Sequence, residues 1–192
     1  MDFIQKTVVL VKPDGVKRGL VGDIVSRFER VGLKIVALKM VWVEKEIVAS
    51  HYKDEREYLT VIGMRSLDDY KKYGLDPNES LGTDDPYEIG QMVRKWNMDA
   101  LTVGPLVAVL IEGVSAIDVV RKMVGDSLLT KAVPGSIRGD FTVDIPILAN
   151  LRKRPMRSIV HASGNVEEAE FEKKLWFKEK EIYDYKRAGE DL

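Results

Sequence analysis

Short runs of apolar residues alternate along the chain with stretches where apolar residues recur at steps of three and four. Thr7 to Val11 (TVVLV) is β-branched and apolar, which predicts a buried strand, and Lys12-Pro13-Asp14-Gly15 ends it with turn chemistry. Leu20, Val21, Ile24, Val25, Phe28 and Val31 then keep helical spacing, with Gly32 as the stop. Leu33 to Val43 predicts a second strand, Lys45 to Tyr52 a short helix and Pro105 to Gly113 a third strand. A helix follows from Ser115 to Gly125, with Ser115 and Asp118 spaced as a capping box. Ser158 to Val160 predicts a last short strand that delivers His161. The final helix opens at Asn165, with Glu168 placed to close a capping box, and runs to Phe177.

Two polar interruptions break this order. Lys53 to Asn97 is charged and holds little core material, yet LDDYKKYG and PYEIGQMVRKW within it have helical spacing. That predicts an inserted surface subdomain, since a structureless loop of this length is uncommon in a compact domain. The second interruption, PILANLRKRPMR, lies just before the last strand. The expected organisation is one domain over residues 1–192, with insertions at about 58–97 and 145–156. Without the extra helices the order is β-α-β-β-α-β. This is an α+β class fold, a ferredoxin-like antiparallel sheet with helices on its face.

Composition sharpens this reading. With 192 residues, 45% of them hydrophobic, the chain is long enough to bury a sizeable core. Lys and Arg number 30 against 31 Asp and Glu, a formal net charge of −1, so no global field draws it to nucleic acid or anionic lipid. No apolar run reaches membrane-spanning length, and Phe3-Ile4 leads into a strand without a signal-peptide pattern, so a cytoplasmic protein without membrane partners is expected. The absence of cysteine removes disulfides and thiolate metal sites, and with two histidines a zinc site would draw on carboxylates.

His161 is the candidate nucleophile. Histidines that only satisfy a core hydrogen bond are common, but Ala162, Ser163 and Gly164 leave space before this ring, and Glu172 on the next helix is placed to fix its tautomer. His51, on an amphipathic helix beside Tyr52, shows no such surroundings and is assigned to structure. Lys12, Arg121 and Arg138 stand at element ends or in a glycine-flanked loop. Any one of them alone reads as a solvated surface charge. Gathered at one sheet edge, they make a clamp for a polyphosphate. GxxxxGK[ST], GxGxxG and the HRD/DFG pair are all absent, so a phosphotransferase here would have to hold phosphate without a glycine-rich cradle, a route that a phosphohistidine leaves open.

VKPDGVKRGLVG, SHY, the EG…R helix, PGSIRGDF and HAS…E followed by LWFK, in that order, resemble the nucleoside diphosphate kinase family. The resemblance implies a ping-pong reaction that moves the γ-phosphate of ATP to nucleoside diphosphates through a histidine, with Mg2+ held mainly by the nucleotide phosphates. It also implies a homo-oligomer, a hexamer or a tetramer of dimers. Carried over by position, His161 is the phospho-acceptor, Glu172 orients it, and Ser163 and Tyr52 stand close by. Lys12 reaches sugar and phosphate, while Arg121 and Arg138 bind phosphate.

The chain departs from the family at several positions. Ser127 stands for a phosphate-binding threonine, Ser158 for a sugar-contacting asparagine and Gly164 for an aspartate, with Asn150 a substitute donor from the second interruption. The stacking phenylalanine of the family falls where the first insertion begins, leaving Tyr58 or an inserted residue to meet the base. These changes motivate an alternative, a ferredoxin-like nucleotide-binding regulator with little or no turnover. A third reading takes the basic run Arg152, Lys153, Arg154 and Arg157 as a nucleic-acid contact, but a few charges on a neutral protein give little affinity and a solvated loop is expected.

Overall fold

The computed structural model describes residues 3–188. At its centre lies β1 (Ile4–Val11), where Val8, Val9, Leu10 and Val11 are fully buried because both faces of the strand are covered. A one-turn helix, α1 (Pro13–Lys17), follows where turn chemistry was expected, with Pro13 preset for its first position. α2 (Val21–Arg30) leads to β2 (Lys34–Val41), and α3 (Lys45–His51) ends at the first interruption. The interruption itself folds as α4 (Arg56–Tyr73), α5 (Pro77–Leu81) and α6 (Pro86–Thr102). β3 (Leu106–Val114), α7 (Ala116–Val124), α8 (Ile137–Phe141), α9 (Pro146–Leu151), β4 (Val160–Ala162) and α10 (Val166–Trp176) complete the order.

The four strands form one antiparallel sheet in the order β2-β3-β1-β4, as the ferredoxin-like plan requires. On one face Ile24 and Phe28 of α2 and Val120 and Val124 of α7 pack on Val9, Val11, Val107 and Val109. On the other, Val48, Leu101 and Trp176 cover Val8, Leu10, Ala108 and Leu110. Each large apolar side chain fully buried here contributes about 1.5–3 kcal/mol. The segment after α10 runs back along the outer edge of β2. Tyr183 donates its amide to the Val36 carbonyl at 2.8 Å, and the Tyr185 hydroxyl donates to the Ile35 carbonyl at 2.8 Å.

The inserted helices hold more core than their polar composition suggests. Asp76 and Asp85 each cap a helix whose first residue is proline, which starts α5 and α6. Tyr70, Leu81 and Ile89 are buried together with Ile147 of α9, so the two interruptions pack on each other and share a small core. Asp144 closes the second one. Arg154 donates to it from both Nη atoms, and the amides of Arg157 and Ile145 donate at 2.8 and 3.1 Å. Burial pushes the Asp144 carboxyl up, but these donors outweigh it and hold the group below the usual carboxylate range.

α4 and α6 touch backbone to backbone. A Cβ on Gly63 would stand 1.7 Å from the Pro86 carbonyl oxygen, and one on Gly90 would stand 2.0 Å from that of Leu59. Gly→Ala in an exposed helix stabilises by about 1 kcal/mol, so the sign here is diagnostic. Gly90→Ala is expected to destabilise the protein by about 2–3 kcal/mol, read as a lower urea midpoint.

Candidate active site

His161 owes its place to a strained turn. Ile159 has φ of 65°, a left-handed conformation that a β-branched residue rarely takes, and the Val160 amide donates to the Ser158 carbonyl at 2.6 Å across it. This is a γ-turn of the rare hand. Two neighbours hold it: the Ile159 amide donates to Asp14 Oδ2 at 3.0 Å, and the Ile159 carbonyl accepts from the Lys12 amide at 2.7 Å. The last strand therefore starts at Val160, two residues later than the apolar run suggests, and His161 lies within it, paired with Leu10. That register turns His161 to the face of the sheet that Leu10 shares with α3 and α10.

There His161 Nε2 lies 2.7 Å from Glu172 Oε1, and Glu172 Oε2 accepts from Ser163 Oγ at 2.6 Å. Ser163, fully buried, also accepts from the Val8 amide at 3.2 Å. Burial alone would raise the Glu172 carboxyl, but the His161 hydrogen bond and the neighbouring imidazoles outweigh it and hold the group low. An ionised Glu172 can only accept, so the proton of His161 is assigned to Nε2, and Nδ1 is left with its lone pair. α10 begins as its sequence predicts, Asn165 Oδ1 accepting from the Glu168 amide at 2.8 Å. Glu168 Oε2 turns back one residue further than a capping box, to the Gly164 amide. Ser115 caps nothing with its side chain, having taken φ of 49°, and Gln5 Oε1 accepts from the Ile117 amide in its stead.

His51 belongs to this site, which its sequence context did not reveal. Its ring stands edge-to-face on that of His161, centroids 4.5 Å apart, and its Nδ1 accepts from Trp176 Nε1 at 3.3 Å. Burial above all, and then the charge of His161, lowers its pKa to about 3, so it is neutral. Glu172 and Trp176 are four residues apart and share a face of α10, the one sequence signal that a ring partner was needed there. α6 steadies this corner. Arg94 Nε donates to the Tyr52 and Lys53 carbonyls and Nη2 to that of Ala49, at 3.1–3.2 Å, so it closes the C-terminus of α3. The Tyr52 ring lies 5.0 Å from that of His51, and burial raises its phenol well above the usual value.

Arg121 and Arg138 meet at a cleft of about 240 Å³ lined also by Gly125, Asp126, Ser127 and Ala162, the neighbour of His161. Arg138 is fixed by the carbonyls of Gly125 and Val160 at 2.8 and 2.9 Å, while its buried Nε has no partner. Burial and then the charge of Arg121 lower its pKa to about 10. Lys12 Nζ donates to Ser158 Oγ at 2.8 Å, and burial, helped by Arg138, lowers its pKa too. Among the described residues, Lys12, Arg121 and Arg138 form no ion pair within 4.0 Å. Gly164 leaves room for the Glu168 carboxylate, whose Oε2 would lie 2.5 Å from a Cβ placed there. Tyr58 is half-exposed in the first turn of α4, its phenol raised by burial and by the charge of Glu168 at the same rim. Asn150 is buried on α9, with Nδ2 unpartnered, away in the helices packed on α4 and α5.

The neutral His51 makes stability depend on pH. Unfolded, it takes a proton near 6.5; folded, it does so only near 3. Between these values the unfolded state binds more protons, so stability falls as pH drops through that window. His51→Gln is expected to flatten the slope by up to about 1.4 kcal/mol per pH unit, measured by urea unfolding from about pH 7 to about pH 4.

A family model described as nucleoside diphosphate kinase matches residues 5–60 and 90–182, leaving most of the first interruption unmatched. A nucleoside diphosphate kinase of Pyrobaculum aerophilum is 43% identical over 181 residues, covering 94% of this chain and 99% of its own. One of Borreliella burgdorferi is 37% identical, covering 98% and 96%. The crystal structure of an NDP kinase from Pyrobaculum aerophilum superposes with a TM-score of 0.90 at 42% identity, over 94% of this chain and all of that one. A transition-state mimic of the Borrelia burgdorferi nucleoside-diphosphate kinase, with bound vanadate and ADP, gives 0.77 at 36% identity, over 97% and 94%. Matched by that family model over most of its length, and by such relatives over nearly the whole of theirs, the chain belongs to the nucleoside diphosphate kinase family.

Proposed function

We propose that His161 carries a phosphoryl group from ATP to a second nucleoside diphosphate in a ping-pong exchange. One observation supports this most: a histidine whose tautomer is set by an ionised glutamate adjoins a cleft lined by Arg121 and Arg138, which among the described residues form no ion pair within 4.0 Å. Nδ1 attacks the γ-phosphorus with its lone pair, the bond to the β–γ bridging oxygen breaks, and its electrons leave with ADP. The phosphorylated ring is positively charged while Nε2 keeps its proton, and Glu172 at 2.7 Å balances that charge. In the second half, an oxygen of the incoming diphosphate attacks phosphorus and the electron pair returns to Nδ1.

Lys12, Arg121 and Arg138 are set for the charge that spreads over the phosphoryl oxygens, and burial strengthens the effect of Lys12 and Arg138. Ser127 lines the same cleft and adds a hydroxyl donor to phosphate, and Ser158 stands under Lys12 at the sugar end. Ser163 keeps Glu172 in place, Tyr52 braces His51, and Tyr58 supplies a face for the base at the rim. Mg2+ fits this cleft as a passenger on the nucleotide. The one carboxylate among the lining residues is Asp126, which would hold it together with the phosphates. When bound, the ion neutralises phosphate charge. Residues 61–89, which the family model leaves unmatched, are an addition to a single catalytic domain, and residues 145–156 lie within the matched stretch.

The working form is a homo-oligomer, a hexamer or a tetramer of dimers. Leu38 and Met40 on the edge strand β2, and Trp42 just beyond it, alternate along one face and are 52%, 60% and 67% exposed. The substrates are soluble nucleotides, which places the work in the cytoplasm. Among the described residues no helix is long and apolar enough to cross a membrane.

With γ-labelled ATP and magnesium, the protein is expected to take up acid-labile label that an added diphosphate removes. His161→Ala should take up none while still binding ATP, and Glu172→Gln should transfer about 10²–10³ times more slowly. ATP binding without labelling would make the chain a nucleotide-binding regulator. Met40→Lys is expected to lower the mass seen by light scattering, and an unchanged mass removes the β2 edge as an interface.

A further inference from the structure

We infer that His51, His161 and Glu172 form a site for a divalent transition ion such as Zn2+, and that the ion switches phosphotransfer off. The second half of this rests on the role proposed for His161; the binding itself does not. One donor atom from each residue lies within 4.8 Å of the other two. Glu172 Oε1 is 2.7 Å from His161 Nε2 and 3.6 Å from His51 Nδ1. Zinc bonds of about 2.1 Å give tetrahedral donor separations of about 3.4 Å, which those two distances bracket.

The donor set is selective. Two imidazoles and a carboxylate suit Zn2+ and its neighbours, with a fourth position left open, whereas Mg2+ prefers oxygen ligands in an octahedron. The Mg2+ that travels with ATP therefore does not compete for it. A supporting bond is already in place, since Ser163 Oγ donates to Glu172 Oε2 at 2.6 Å and leaves Oε1 facing the two rings. His51 and Glu172 are buried, but the His161 side chain is 26% exposed, so an ion enters from its side. The competing contact is the indole of Trp176, which donates to His51 Nδ1 over a long 3.3 Å.

The inhibition follows from where the proton goes. To ligate through Nε2, His161 gives up the proton on that nitrogen and takes one on Nδ1, so the ring stays neutral. Nδ1 then has no lone pair for phosphorus. The ion disables the nucleophile without filling the cleft at Arg121 and Arg138, so ATP still binds and added nucleotide does not relieve the block.

The test is a titration of the nucleotide-free protein with Co2+, whose visible absorption reports four-coordinate binding. One equivalent per folded chain is expected. His51→Gln and Glu172→Gln should each weaken binding by more than the 10–100-fold that loss of a supporting hydrogen bond costs. Trp176→Phe, which frees the Nδ1 lone pair, should tighten it. Zn2+ should displace the Co2+ spectrum and stop transfer, and a chelator should restore both. Absence of stoichiometric binding, binding undiminished in a folded His51→Gln variant, or no gain in Trp176→Phe overturns the site. Because the titration uses no nucleotide, Co2+ binding in a protein that cannot be labelled would sink the phosphohistidine reading and leave the metal site standing.

Discussion

A negative charge is buried at the heart of this protein, and much of the sheet's far edge is arranged to keep it. An unpaired carboxylate out of water costs several kcal/mol, so Glu172 persists as an anion only because His161 and Ser163 donate to its two oxygens. Both donors come from the same short segment, and Ser163 is itself anchored to Val8 of the central strand. The charge thus links β1, β4 and α10. Remove it and the tautomer of His161, the orientation of that ring and the packing of His51 against it all lose their reason.

The strain at Ile159 complements this. A γ-turn of unfavourable hand is retained because Asp14 and the Lys12 amide satisfy both its backbone groups. The same residues begin α1 and supply the buried ammonium beside Ser158. One turn of chain therefore sets the entry to β4 and the placement of a cation together, which keeps His161 and Lys12 in register. From the opposite side, Arg94 of α6 closes α3 and supports the corner that presents His51 and Tyr52.

What could be read in advance divides by the range of the interaction. The strands and the cap at Asn165 are written in neighbours or in one helix turn, and the pairing of His161 with Glu172 joins two consecutive elements 11 residues apart, so periodicity or spacing exposes them. Ser115 misled because its acceptor role passed to Gln5, 112 positions earlier than Ile117. His51 looked structural because its partner Trp176 lies 125 residues away. The start of β4 was obscured by Asp14, and the core under the polar helices by Ile147, whose contribution appears only once the two interruptions meet. In each case a remote side chain overrode a correct local rule.

The segment after α10 has a consequence for geometry beyond one chain. With Tyr183 and Tyr185 bonded to Val36 and Ile35, the first half of the outer edge of β2 is already taken, and the second half is open. Any strand laid along that edge can slide toward Lys34 no further than Val36. The returning segment is thus a stop at one end of the edge, leaving the stretch that carries Leu38 and Met40 as the part a strand could meet.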